Sequence, residues 1–99
     1  MSSNRTVPLI RESVTIANEA GLHMRAANVF ADSASRFESS VTVVRGDLKV
    51  NGKSILGLMM LAAPCGTEIV IEADGNDAED AMRDLIGLVR SGFGEGGAS

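Results

Sequence analysis

Apolar positions along this chain follow two rhythms, one of period two and one near 3.6 residues, and each change of rhythm predicts a change of element. From Leu9 to Ala17, Ile10, Glu12, Val14 and Ile16 alternate with Arg11, Ser13 and Thr15, which predicts a first strand with Val14 and Ile16 on its buried face. Asn18-Glu19-Ala20-Gly21 breaks the alternation with turn-prone residues. Ala27, Phe30, Ala34 and Phe37 then recur as one apolar stripe while Asn28, Asp32, Ser35 and Arg36 take other sides, so a helix is expected from Met24 to Arg36. Asp32 and Arg36 stand in the favoured order for a surface ion pair worth about 0.2 to 0.5 kcal/mol.

Ser39-Ser40 closes that helix, and the β-branched run Val41 to Arg45 predicts a second strand with Val41 and Val43 on one face. Gly46-Asp47 fits a two-residue hairpin turn with glycine at the first positive φ, returning the chain as a third strand, Leu48-Lys49-Val50. That turn also accounts for Arg45-Gly46-Asp47 without any adhesion function. Asn51-Gly52 turns again, and Ser54 stands where a helix takes its N-cap, ahead of Ile55, Leu58, Leu61 and Ala62 in a short helix that ends before Pro64. Its apolar residues wrap most of the circumference, so some large ones, among them Ile55, Leu56 and Met59, are expected at the surface as a docking patch.

Glu68 to Ala73 alternates as a fourth strand, and Asp74-Gly75-Asn76 leads to Asp77 as the N-cap of a third helix, with Glu79 and Asp80 in its first turn. Ala78, Ala81, Met82, Leu85, Ile86 and Val89 form its stripe, Arg90 lies in the last turn, and Gly92 stops it just past Ser91. Residues 1–99 thus read as one domain, with Met1 to Pro8 a frayed arm and Gly94 to Ser99 a flexible tail. The order βαββαβα with short connections predicts an α+β, two-layer open-faced sandwich: a four-stranded antiparallel sheet with three helices on one face.

Ninety-nine residues suffice for a single two-layer core, burying something over ~60% of the unfolded surface. No Trp, no Tyr and three Phe imply a largely aliphatic core and leave no platform for stacking bases. With a net charge of −4 and no block of Lys or Arg, attraction to nucleic acid or anionic lipid is disfavoured. The single Cys65 excludes an intramolecular disulfide and a multi-cysteine zinc site, fits a reducing compartment, and is expected to be a buried or half-buried thiol. The N-terminal residues lack a signal-peptide pattern and no apolar run approaches ~20 residues, so a cytoplasmic chain without membrane insertion is expected.

The chemistry concentrates in Gly21-Leu22-His23-Met24-Arg25-Ala26, where the only histidine of the chain directly precedes a helix. A helix start offers unpaired N–H groups and the positive end of the macrodipole, an anion site to which Arg25 adds a fixed charge. That field favours a neutral imidazole, whose free nitrogen can attack an electrophile such as a phosphoryl group. Nothing in the chain clusters as metal ligands, and no cofactor is implied.

Two segments carry a resemblance to a known family. Asn18 to Ala27, NEAGLHMRAA, resembles the histidine segment of the HPr family of phosphocarriers, and Asn51 to Leu61, NGKSILGLMML, resembles its regulatory-serine segment. The resemblance covers about Val7 to Phe93 and implies a phosphoryl carrier rather than an enzyme: His23 takes the group on Nδ1 from enzyme I, Arg25 assists, and an enzyme IIA domain receives it. It further implies Ser54 capping the second helix beside a docking surface of Ile55, Leu56 and Met59, and phosphorylation of Ser54 where HPr kinase/phosphorylase is present; a monomer is expected. Ala26 departs from the family's usual proline, keeping the helix possible while loosening its start. Ser91-Gly92-Phe93 resembles the nitrogen-related branch, which opens an alternative reading as a phosphorylation-switched regulatory binding protein. A small ligand-binding module, with His23 and Arg25 incidental, is a third.

Overall fold

The computed structural model describes residues 9–94. The expected arm, 1–8, and all of the expected tail except Gly94 lie outside the described residues. Seven elements follow in order: β1 (Leu9–Thr15), α1 (Met24–Ser35), β2 (Ser40–Arg45), β3 (Leu48–Asn51), α2 (Ile55–Leu61), β4 (Glu68–Asp74) and α3 (Ala78–Arg90). The strands form one antiparallel sheet in the order β1-β4-β2-β3. β1 and β2 are therefore joined through α1 across a gap that β4 later fills, the split βαβ arrangement. The expected α+β open-faced sandwich is what forms.

Alternation sets the faces. Val14, Ile69, Ile71, Val41 and Val43 point inward, where Phe30, Leu58, Leu61, Leu85 and Val89 from the helices meet them in one continuous core. Register confirms the pattern, since Val14 is opposite Ile69 and Val43 opposite Ile71, so inward residues face inward residues across each strand pair. Phe37, expected in the stripe of α1, lies only partly buried against that core.

Several boundaries and roles differ from the sequence reading. β1 stops at Thr15, although Ile16 continues the pairing by donating to Thr67 O and accepting from Gly66 N, each at 2.8 Å. Ala62, expected within the second helix, instead takes the left-handed conformation (φ 50, ψ 44) as the C-cap of α2. Cys65 is exposed rather than buried, in the connection from α2 to β4. Asp77 occupies the N-cap position of α3 but makes no side-chain cap bond. Its carboxylate accepts from Glu38 N and Ser39 N, both at 2.9 Å, and from the Ser39 hydroxyl, tying the α1–β2 connection to the start of α3. These donors, the Ser39 hydroxyl first, hold the Asp77 carboxyl below the usual carboxylate range. The long-range partners outcompete the helix because they offer a hydroxyl and two N–H groups that would otherwise lack acceptors.

Phe93 adds an aromatic residue to an otherwise aliphatic end of the core. Beyond α3, Gly92 (φ 72) and Phe93 (φ 60) both turn left-handed, Phe93 N donates to Leu88 O at 2.8 Å, and the ring is buried.

Candidate functional site

The loop from β1 to α1 presents His23. Gly21 takes φ +74, and a Cβ there would lie 2.6 Å from Ala63 O, so glycine is required both by conformation and by close backbone approach. Leu22, buried, donates from its N–H to Ala63 O at 2.9 Å, and His23 N donates to Gly21 O at 2.9 Å. The loop is thereby pressed against the connection that follows α2.

His23 is itself the N-cap of α1, with extended backbone (φ −87, ψ −174), and its Nδ1 accepts from Arg25 N at 3.2 Å. The nitrogen expected to be free is therefore engaged by the helix it caps. Because Nδ1 accepts, it carries a lone pair, and a neutral ring in this geometry bears its proton on Nε2. The same cap points that lone pair at the first-turn N–H groups, where an anionic group is favoured. Ala26, in place of the family's usual proline, is fully buried, and α1 still begins at Met24.

Arg25 is exposed and lies beside a shallow depression lined by Met24, Arg25, Asn28 and Ile55. This depression brings the start of α1 against the start of α2. Ser54 caps α2, its Oγ accepting from Gly57 N at 3.0 Å, as its place in the sequence predicts. Of the apolar residues on α2, Leu58 and Leu61 are buried, whereas Leu56 is 72% and Met60 63% exposed. Ile55 and Met59, expected at the surface, are also exposed. Of the docking residues named from the sequence, Ile55 lines the same depression as Met24 and Arg25.

Sequence reasoning missed the supports. The Arg45 guanidinium donates to Leu61 O and Ala62 O at 2.8 and 2.7 Å, closing the C-terminal end of α2, and Lys53 Nζ donates to Phe37 O at 2.8 Å just past α1. Asn18, buried, donates from Nδ2 to Gly21 O at 2.8 Å. Among the described residues no group of three or more His, Cys, Asp or Glu could hold a metal ion, and no helix is long and apolar enough to cross a membrane.

Comparison with known proteins gives one answer. The family model PTS-HPr, described as PTS HPr component phosphorylation site, matches residues 10–91. Phosphocarrier protein HPr of Neisseria meningitidis is 52% identical over 88 residues, covering 89% of this chain and 99% of that protein. Phosphocarrier protein NPr of Shewanella violacea is 40% identical over 86 residues, covering 87% of this chain and 94% of that protein. The crystal structure of HPr-C-His from Thermoanaerobacter tengcongensis superposes with a TM-score of 0.83 at 40% identity, covering 87% of this chain and 97% of that one. With a helix-capping histidine in the matched segment and the same fold throughout, the chain belongs to the HPr family, the phosphocarrier proteins of the phosphotransferase system.

Proposed function

We propose that His23 is the residue that carries the phosphoryl group, receiving it from phosphorylated enzyme I and passing it to an enzyme IIA domain. The observation that carries this reading is the bond from Arg25 N to His23 Nδ1, which fixes the tautomer and sets the Nδ1 lone pair at the start of α1. In the transfer, that lone pair forms the new phosphorus–nitrogen bond as the donor's phosphorus–nitrogen bond breaks and its electron pair stays with the donor. The Arg25 N–H leaves Nδ1 and donates to a phosphoryl oxygen instead, while the exposed Arg25 guanidinium balances the moving charge. A carrier must release what it binds. One arginine and partial dipoles stabilise the group less than a metal or a closed basic cage, which keeps onward transfer accessible.

The exposed surface of Met24, Ile55, Leu56 and Met59 supports docking of both partners beside the reacting nitrogen. Ser54, which immediately precedes Ile55, is the point where added charge alters that docking. A phosphate written there by a serine kinase switches partner choice. The domain acts as a monomer in the cytoplasm, so that one face meets each partner in turn. The regulatory alternative, in which contact rather than transfer is the output, is favoured by the breadth of the apolar patch, with Leu56 and Met60 both outward. Incubation with enzyme I and phosphoenolpyruvate separates the readings: the parent chain takes up acid-labile phosphate and His23→Ala takes up none while remaining folded. Uptake that survives His23→Ala refutes the assignment.

A further inference from the structure

A buried amide, that of Asn18, braces the loop that presents His23. Asn18 Nδ2 donates to Gly21 O at 2.8 Å, while Gly21 N donates to Asn18 O at 3.1 Å, so the two residues close the loop on each other through both side chain and backbone. Gly21 O also receives His23 N at 2.9 Å. The carbonyl that Asn18 grips is thus the one from which the His23 backbone hangs. Behind Asn18 lies the end of α3, where a Cβ added to Gly92 would come 3.4 Å from Asn18 Cβ. Burial of Asn18 keeps water from replacing the amide's bond to the carbonyl.

Transfer from one nitrogen to another demands that the attacking lone pair hold its line within a fraction of an ångström, and a loop can do so only if its own backbone is fixed. We infer that Asn18 is a positioning residue for transfer at His23: through Gly21 O it fixes the His23 backbone, so that the imidazole stays in the single orientation in which Nδ1 faces the start of α1. The inference rests on the reading of His23 as the carrier. Asn18 is buried and does not line the depression of Met24, Arg25, Asn28 and Ile55, so its effect falls on the transfer step and not on partner affinity.

The test uses the full chain with enzyme I and phosphoenolpyruvate, comparing the parent, Asn18→Ala, and Asn18→Asp, which keeps the size of the side chain but removes the donor. Both Asn18 variants are expected to lose about tenfold to a hundredfold in maximal transfer rate, with a half-saturating concentration within about twofold of the parent. A merely structural role would not produce that split. Nitrogen-15 spectra of the ring supply a second readout: the parent shows the Nε2–H form, and the variants show a mixture with the Nδ1–H form. Folded variants with the parental maximal rate and ring spectrum overturn the inference. Should both variants fail to fold, the parent decides, since the Asn18 amide protons must be protected from exchange and coupled through the hydrogen bond to the Gly21 carbonyl. Absence of that coupling overturns the inference equally. His23→Ala, run alongside, distinguishes the two levels. Phosphate uptake by His23→Ala defeats the reading of His23 as carrier, whereas a silent His23→Ala beside a fully active Asn18→Ala defeats only the role of Asn18.

Discussion

Replacing Ser54 by Asp sets the stability of α2 against its use as a docking surface. The Ser54 Oγ accepts from Gly57 N at 3.0 Å, and a carboxylate at an N-cap can accept the same bond, so the substitution keeps the cap. It also places a full negative charge at the positive end of the helix, worth about 0.3 to 1 kcal/mol. For a domain of this size that raises Tm by about 1 to 8 °C. Docking moves the other way. Ile55, the next residue, lines the depression that holds Arg25, so the new charge sits on the rim of the surface proposed to dock enzyme I. A carboxylate of the partner about 10 Å away, at an effective dielectric of about 20, repels it by about 1.7 kcal/mol, or somewhat more than a tenfold loss of affinity. The assays are a thermal melt and the rate of phosphoryl acceptance from enzyme I at sub-saturating concentration. The expected result is a higher Tm with slower acceptance. Ser54→Ala provides the contrast: without the cap it loses about 0.5 to 2 kcal/mol, so its Tm falls. A Ser54→Asp chain that accepts phosphate as fast as the parent refutes the switch and leaves Ser54 a cap only.

Leu56→Ser removes the most exposed apolar side chain of α2 and should weaken binding of enzyme I, measured by titration calorimetry, with folding stability within about 0.5 kcal/mol of the parent; a large fall in Tm at unchanged affinity would place Leu56 in the core. Arg25→Ala should slow transfer while leaving the melt unchanged, because the side chain is exposed, and parental transfer kinetics would remove it from the mechanism. Asp77 gives a pH dependence. Its folded pKa is depressed, chiefly by the Ser39 hydroxyl, so its contribution to stability is complete above the ordinary Asp value and is lost as pH falls through the lower folded value. Acid titration of Tm should therefore show a steeper decline in the parent than in Asp77→Ala across that acidic window; parallel curves would show that the carboxylate contributes nothing specific.

The fold was legible because its instructions are local. Period-two runs such as Glu68 to Ala73 and the stripe of α3 each name their buried face without reference to anything distant, and the order of elements leaves few ways to close a sheet. Ser54 was legible for the same reason, since a cap and its N–H partner are three residues apart. The candidate site was half legible. His23 at a helix start can be read directly, but the engagement of its Nδ1 depends on the χ angles of the cap, which no spacing encodes. Other features depend on partners far along the chain. Asp77 has every local mark of an N-cap and spends its carboxylate on Glu38 and Ser39, 39 and 38 residues away. Arg45 looks like a strand-end charge and closes α2 through carbonyls 16 and 17 residues on. Asn18 was read as a turn former, and only the folded structure shows it buried with its amide on Gly21 O. Ile55 and Leu56, by contrast, were legible, because a short helix with apolar residues around most of its circumference must leave some of them outside.

The central claim is that phosphate rides on one nitrogen of one residue. Phosphorus-31 and nitrogen-15 spectra of the chain after reaction with enzyme I and phosphoenolpyruvate test it directly, because a phosphoryl group on Nδ1 and one on Nε2 give different ring shifts and couplings. The account predicts a single acid-labile adduct, on Nδ1 of His23. Phosphorus on Nε2, or on any other residue, would contradict it.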